Sequence, residues 1–211
     1  AELGLMAEAD AVAFTDADRA VADAQVMRRV LSYASAFNLL ICHYPEEPAL
    51  ARNGVMNSGE IAMRLGLPGI PTQAETIMVE RDLRLVEMTG GRYHAACLST
   101  AQAIEAMARG KAQGLPVSAA AAVHNFAMNE EAVGQYRSFA KTAPPLRSEA
   151  DRQAVVDGLA DGTIDVICSC HDPQDVESKR LPFELAAAGI IGLETMLPLA
   201  LELYHNGAIG L

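Results

Sequence analysis

The sequence of 211 residues contains no tryptophan and only 5% aromatic residues, which leaves few side chains for a surface that stacks on bases. Its 16 basic residues are outnumbered by 27 acidic ones, and the net charge is −11 at pH 7. Nucleic acids and anionic membranes bind clustered cations, so neither is expected as a partner. No apolar run approaches the roughly 18 residues of a membrane span, and the first residues lack the pattern of a signal peptide.

Cysteine is also scarce, with four residues at positions 42, 97, 168 and 170. Four cysteines do not make a disulfide scaffold in a chain of this size, and a reducing cytoplasm is therefore the expected location. Hydrophobic residues make up 51% of the chain and charged residues 20%. This composition predicts a globular protein with one sizeable core, and we expect residues 1–211 to form one domain.

Short apolar runs alternate with longer amphipathic stretches along the chain. The predicted strands cover residues 11–14, 39–43, 92–98, 117–123 and 164–167. The predicted helices cover residues 23–37, 72–89, 101–112 and 148–160. The strands are apolar without strict alternation, as expected when helices cover both faces of a parallel sheet. The sequence predicts a parallel α/β fold, and periodicity alone does not choose between a barrel and an open sheet.

A side chain that can bind metal lies at or just beyond the end of each predicted strand. These side chains are Asp16, His43, Cys97, His124 and Cys170, with His171 next to the last. The carboxyl ends of parallel strands meet at one edge, where α/β proteins place their sites. Carboxylate, imidazole and thiolate are ligands that zinc accepts. One such residue alone is more often packed or hydrogen-bonded, but five equivalent positions favour a shared pocket.

Of three further residues, Cys168 has two interpretations, and His94 and His205 have one each. Cys168 and Cys170 are two apart on a strand and share a face, so both could reach one metal, but we favour Cys168 as barrel filling one layer deeper. His94 and Cys97 are three apart and point to opposite faces. We place Cys97 in the pocket and assign His94 a structural or helix-packing role. His205 is expected to be exposed.

The segment from Thr142 to Ser148 contains two consecutive prolines, Pro144 and Pro145, which make it stiff and extended. It is either a connector into the next helix or a rigid rim that holds Arg147 towards an anionic ligand. The sequence does not decide between these two roles.

At this point the sequence resembles the dihydroorotases of the amidohydrolase superfamily. The matching blocks, in chain order, are Phe14-Thr15-Asp16, Cys42-His43-Tyr44-Pro45-Glu46, residues 91–100, residues 144–148, residues 161–173 and Gly192-Leu193-Glu194-Thr195. The resemblance covers essentially all of the chain. It implies a metal-dependent TIM barrel that interconverts N-carbamoyl-L-aspartate and L-dihydroorotate in pyrimidine synthesis. The chain corresponds to a partial (β/α) barrel without the first strands and the C-terminal segment.

The resemblance implies a zinc site made of Asp16, His43, Cys97 and Cys170. Asp16 and His43 match metal ligands of the family. Cys97 stands where the family has a second metal-binding histidine. Cys170 stands at the catalytic position, where the family has an aspartate that binds metal and acts as general base.

The substrate-binding positions are partly kept. His171 and Arg147 match the family, whereas Ala143 stands where the family has a substrate-binding asparagine. His124 matches the first residue of a histidine pair, and Asn125 replaces the second. The His-x-His-x-Arg motif of the family's first strand, which supplies two metal ligands and a carboxylate-binding arginine, is absent from these residues.

These replacements leave three hypotheses. Zinc bound by several thiolates is a weak Lewis acid and a thiolate is a poor general base, so a dihydroorotase-type hydrolase is expected to have little or no activity as this chain alone. Alternatively, the chain is a non-catalytic homologue that serves as a scaffold for aspartate carbamoyltransferase. A third possibility is a fragment of an active enzyme with altered residues. A half-open barrel exposes apolar edges, so we expect a homo-oligomer or a complementing segment.

Overall fold

The computed structural model describes residues 2–210, in which a parallel sheet is covered by helices. The strands are β1 (Ala13–Phe14), β2 (Leu40–His43), β3 (Met56–Asn57), β4 (Gly69–Ile70), β5 (Arg92–Ala95), β6 (Val117–Ala122) and β7 (Val166–Cys168). The main sheet has the order β1-β2-β5-β6-β7, and every neighbouring pair is parallel. All five of these strands were predicted from the sequence, and the prediction of a parallel α/β fold is confirmed.

The helices that connect the strands differ widely in length. They are α1 (Leu3–Glu8), α2 (Ala24–Ala36), α3 (Pro48–Ala51), α4 (Glu60–Leu65), α5 (Gln73–Thr89), α6 (Ala101–Ala112), α7 (Val123–Ala127), α8 (Glu149–Ala160), α9 (Val176–Lys179) and α10 (Leu193–His205). Two 3-10 turns cover Glu130–Val133 and Ser138–Ala140. Within residues 2–210, no helix has both the length and the apolar character needed to cross a membrane.

The long helices begin and end at residues whose chemistry suits those positions. The side chains of Asp23, Thr100 and Ser148 accept hydrogen bonds from backbone N–H groups in the first turns of α2, α6 and α8. Gly90 ends α5 with a left-handed backbone at φ 66°, which glycine adopts without steric cost. These local signals fix where each connecting helix starts, and so how far each strand extends.

The main core lies between the sheet and helices α2, α5, α6 and α8. Its members that are fully shielded from solvent include Met27, Leu31, Tyr93, Met107 and Val155. A smaller apolar cluster packs around the β3–β4 pair and comprises Met56, Ala62, Val133, Ala140, Leu146 and Phe183. The described residues therefore form one principal core and a smaller second cluster around the β3–β4 pair.

The β3–β4 pair was not predicted, because residues 53–59 and 67–71 read as a loop and a break. Each of these strands has only two residues, which is too short for a periodic pattern. The pair depends instead on close backbone approach. A Cβ atom at Gly69 would lie 2.4 Å from Ser58 Cα, so only glycine fits there.

The core position of Leu31 gives a test of the packing of α2. We expect Leu31→Ala to reduce the free energy of unfolding by about 2–5 kcal/mol, because it leaves a cavity at a fully buried position. Val26→Ala on the same helix is the control, since Val26 is 47% exposed, and it should change stability by less than about 0.5 kcal/mol. Urea denaturation measures both values. Equal losses in the two variants would contradict this packing of α2.

Candidate functional site

Three cysteine thiols meet at the carboxyl ends of β5 and β7. Cys168 is the last residue of β7, while Cys97 and Cys170 each lie two residues beyond the end of a strand. The Sγ atoms of Cys97 and Cys170 are 2.9 Å apart, those of Cys168 and Cys170 are 3.2 Å apart, and those of Cys97 and Cys168 are 3.8 Å apart. These separations exceed the roughly 2.05 Å of a disulfide bond, and the cysteines are free thiols. We refer to these three residues as the three-cysteine cluster.

The sheet register and two unusual backbone conformations produce the cluster. Strands β5, β6 and β7 are neighbours, and Cys168 pairs in register with Ala122 at the end of β6. Cys97 and Cys170 adopt left-handed backbones at φ 53° and 40°. Such values are uncommon for residues other than glycine and concentrate at functional sites.

Contacts among the three thiols shift the pKa of each one. The thiols of Cys170 and Cys97 lower the pKa of Cys168, because both can donate to its thiolate. The same contacts raise the pKa of Cys97, to which Cys168 contributes most. The contact with Cys168 also raises the pKa of Cys170. The three thiols are therefore strongly coupled to one another, and a negative charge in the cluster is favoured on Cys168.

A buried histidine follows the neighbouring strand β6. His124 in α7 is only 4% exposed, and among the described residues neither of its ring nitrogens has a hydrogen-bond partner. Burial lowers the pKa of His124 to about 4, and the nearby charge of Cys168 opposes this shift only in part. His124 is therefore neutral at pH 7. Asn125 beside it is also buried, and its amide atoms have no partner within the described chain.

The structure brings together only part of the metal site that the resemblance implies. Cys97 and Cys170 are together, and Cys168 lies close to both, as the alternative in which it reaches the same metal requires. Asp16 is exposed in the turn after β1. Across residues 2–210, the cluster is the only group of three or more histidine, cysteine or acidic residues whose ligand atoms all lie within 4.8 Å, and neither Asp16 nor His43 belongs to it.

His43 faces the helices that cover the sheet. It is two residues from Ile41 on β2, so the two share a face, and Ile41 belongs to the main core. Its Nδ1–H donates to Asp82 of α5 at 2.7 Å, and its Nε2 accepts the N–H of Val21 at 2.8 Å. Tyr93 donates its hydroxyl to the same Asp82 carboxylate at 3.0 Å. Both ring nitrogens of His43 are therefore engaged.

Arg147 braces the β3–β4 pair against the main sheet. It is 4% exposed and donates to Asn57 Oδ1 at 3.0 Å, to the carbonyl of Ile70 at 2.8 Å and to Ser99 Oγ at 3.1 Å. These contacts agree with the connector role of its segment, since two of its nitrogens are bound to the protein itself.

Sequence analysis missed Glu75, which belongs to the same network. The buried Glu75 carboxylate accepts the backbone N–H groups of Ser99 and Thr100 at 3.0 Å each, and both hydroxyls as well. It therefore stabilises the start of α6 from another helix. The Ser99-Thr100 pair predicted a helix start, but no sequence signal identified a distant carboxylate as its partner.

The remaining predicted residues do not belong to the three-cysteine cluster. His171 is exposed, and its Nδ1 accepts the N–H groups of Gly192 and Leu193 at 3.2 Å each, at the start of α10. Ala143 lines a cavity of about 350 Å³ together with Glu46 and Lys141, among others. His94 pairs with Ser118 Oγ on β6 at 2.8 Å, in keeping with a structural role.

The donor set does not fit the hydrolytic zinc centre that the resemblance implies. Catalytic zinc sites combine three protein ligands, usually nitrogen or oxygen donors, with an open position for water. Here the clustered ligand atoms are all sulfur, the imidazole of His43 is engaged on both sides, and no carboxylate joins the group. We therefore assign no catalytic step to a metal at this position.

Comparisons with known proteins show which proteins this chain is similar to. A family model described as dihydro-orotase-like matches residues 1–103. The dihydroorotase of Desulfotalea psychrophila is 46% identical over 209 residues, covering 99% of this chain and 50% of the relative. The dihydroorotase of Syntrophotalea carbinolica is 46% identical over 211 residues, covering 100% of this chain and 50% of the relative. The solved L-hydantoinase (dihydropyrimidinase) of Arthrobacter aurescens matches with a TM-score of 0.85 at 22% identity, covering 100% of this chain and 50% of that one.

The parallel sheet and the solved neighbour define a partial TIM barrel. The chain spans about half the length of the curated relatives it matches. Identity with those relatives extends along nearly all of its length. Along this length, the chain is similar to dihydroorotases.

The neutral state of His124 predicts a pH dependence of stability. The folded pKa of about 4 lies below the unfolded value of about 6.5, so the unfolded chain binds an extra proton between these values. The corresponding stability is complete above pH 6.5 and is lost as the pH falls towards 4, by up to about 3 kcal/mol.

We expect His124→Gln to reduce the pH dependence of the free energy of unfolding between pH 6.5 and 4. Urea titrations at several pH values measure this slope. His205→Gln is the matched control, because His205 is exposed, and it should leave the slope unchanged. A slope that His124→Gln does not alter would show that His124 is not held neutral by burial.

Proposed function

We propose that this chain is a cytoplasmic dihydroorotase homologue that does not hydrolyse L-dihydroorotate by itself. In the whole protein, we expect the substrates of the family, which are N-carbamoyl-L-aspartate and L-dihydroorotate. The all-sulfur composition of the three-cysteine cluster is the observation that carries the proposal. Four free cysteines suit the reducing cytoplasm.

Hydrolysis of a cyclic amide requires a polarised carbonyl, an activated water and a base that moves a proton. Cys170 stands at the position of the family's base, but the raised pKa of its thiol keeps it protonated at neutral pH. His43, the matching metal ligand, uses Nδ1 to donate to Asp82 and Nε2 to accept from Val21. The two residues at the implied positions of base and ligand, Cys170 and His43, therefore supply neither a base nor a free imidazole.

A dihydroorotate hydrolysis assay with added zinc tests this proposal. We expect no turnover above the rate without protein, with or without His43→Ala. The Desulfotalea psychrophila dihydroorotase serves as the positive control for the assay. Turnover that disappears in His43→Ala but persists in His205→Ala would overturn the proposal, because it would demonstrate catalysis that depends on the family's ligand.

As a second candidate function, we propose a role in assembly, which the outer face of α10 supports. Leu193, Leu197, Leu201 and Tyr204 follow one another at spacings of three or four and are 39–64% exposed. The other face of α10 packs Met196, Leu199 and Leu203 against the main core. A helix that is apolar on both sides is suited to a second layer of protein, and we propose a second copy of this chain as that layer.

We expect the chain to form a homo-oligomer that Leu197→Glu converts to monomer, since the charge would be buried in an apolar interface. Light scattering after size exclusion measures the mass. Met63→Glu is the control, because Met63 is 77% exposed on α4, and it should leave the mass unchanged. A monomeric wild-type chain would contradict self-assembly. Co-elution with aspartate carbamoyltransferase that Leu197→Glu abolishes would instead favour the scaffold role.

A further inference from the structure

The three-cysteine cluster has a donor set suited to a class of ion other than the one the family implies. Its ligand atoms are three sulfurs within 4.8 Å of one another, and no nitrogen or carboxylate oxygen belongs to the group in residues 2–210. Thiolates are soft ligands, and they select ions such as Cu(I), whereas carboxylates suit harder ions. Structural zinc sites almost always use four protein ligands, and this group offers three.

We propose that Cys97, Cys168 and Cys170 form a three-coordinate site for a soft, thiophilic metal ion, with Cu(I) as the representative ion. The inference goes beyond the proposed function and does not depend on it, because the site is defined by the sulfur geometry whether or not the whole protein hydrolyses dihydroorotate.

The observed distances are close to those that such an ion needs. Three sulfurs in a plane, each about 2.3 Å from a central ion, lie about 4 Å apart. Cys97 and Cys168 already lie 3.8 Å apart. The two separations that involve Cys170, at 2.9 and 3.2 Å, would each have to increase by about 1 Å. Cys170 lies in the segment after β7, and movement of this one side chain would open both distances.

The setting of the cluster favours retention of a bound ion. All three cysteines are partly buried, and they are held by the ends of two strands that β6 joins in one sheet. His124, which follows β6 and is 4% exposed, has no hydrogen-bond partner in the described chain, and it shields this edge of the sheet from solvent. Binding would release the thiol protons to solvent.

Anaerobic titration of the reduced chain with Cu(I), in competition with a chromophoric chelator, tests the proposal. We expect one Cu(I) per chain with a sulfur-only first shell in X-ray absorption, and no displacement by an equal concentration of Zn²⁺. Cys168→Ser should weaken binding at least tenfold, because it replaces a soft donor with a hard one of similar size.

Cys42→Ser is the matched control, since Cys42 is the fourth free cysteine and lies outside the cluster. It should bind as the wild type does. Circular dichroism of Cys97→Ser, Cys168→Ser and Cys170→Ser checks that each variant folds. Nitrogen or oxygen in the first shell, equal loss in Cys42→Ser, or no binding by folded and fully reduced wild-type chain would overturn the proposal.

Discussion

The register of the parallel sheet is the constraint on which the rest of the structure depends. Neighbouring parallel strands end at the same edge, so residues far apart in sequence arrive together once the pairing is fixed. The pairing of Ala122 with Cys168 places the end of β7 beside the end of β6, and β5 lies on the other side of β6. A one-residue shift in the pairing register of β7 would turn Cys168 to the opposite face of the sheet and separate it from the other two cysteines.

The same register explains why the metal ligands that the resemblance implies do not form one centre here. On β2, Ile41 and His43 share the face that packs on the helices, and α5 supplies Asp82 as a hydrogen-bond partner in that layer. The cysteines instead meet at the carboxyl ends of β5 and β7. The chain thus keeps the architecture of an amidohydrolase barrel, but the polar groups at its edge form separate networks of imidazole with carboxylate, arginine with amide, and sulfur with sulfur.

Much of the fold could be predicted from the sequence, because local patterns determined it. The apolar runs marked all five strands of the main sheet, and capping residues such as Thr100 and Gly90 marked the helix ends. The β3–β4 pair was missed because it depends on contacts between separate segments. These contacts are the close approach of Gly69 to Ser58 and the hydrogen bond from Arg147 to the carbonyl of Ile70.

The site was only partly predictable for the same reason. Position after a strand correctly grouped Cys97 with Cys170, but the depth of Cys168 depends on where β7 ends, which periodicity leaves uncertain by a residue or two. The partners of His43 and of the Ser99-Thr100 pair are carboxylates on α5, Asp82 and Glu75, and no spacing rule relates them to those residues.

The brace made by Arg147 has a consequence for the motions of the molecule. The β3–β4 ladder has only two residues in each strand, so few backbone hydrogen bonds hold it together. Besides the apolar cluster around it, one guanidinium group links Asn57, Ile70 and Ser99. Loss of those few hydrogen bonds would let the small ladder open as a unit while the central strands stay intact. Amide hydrogens of the ladder would then exchange with solvent before those of β5 and β6, so that one side chain contributes to the boundary between two regions of different local stability.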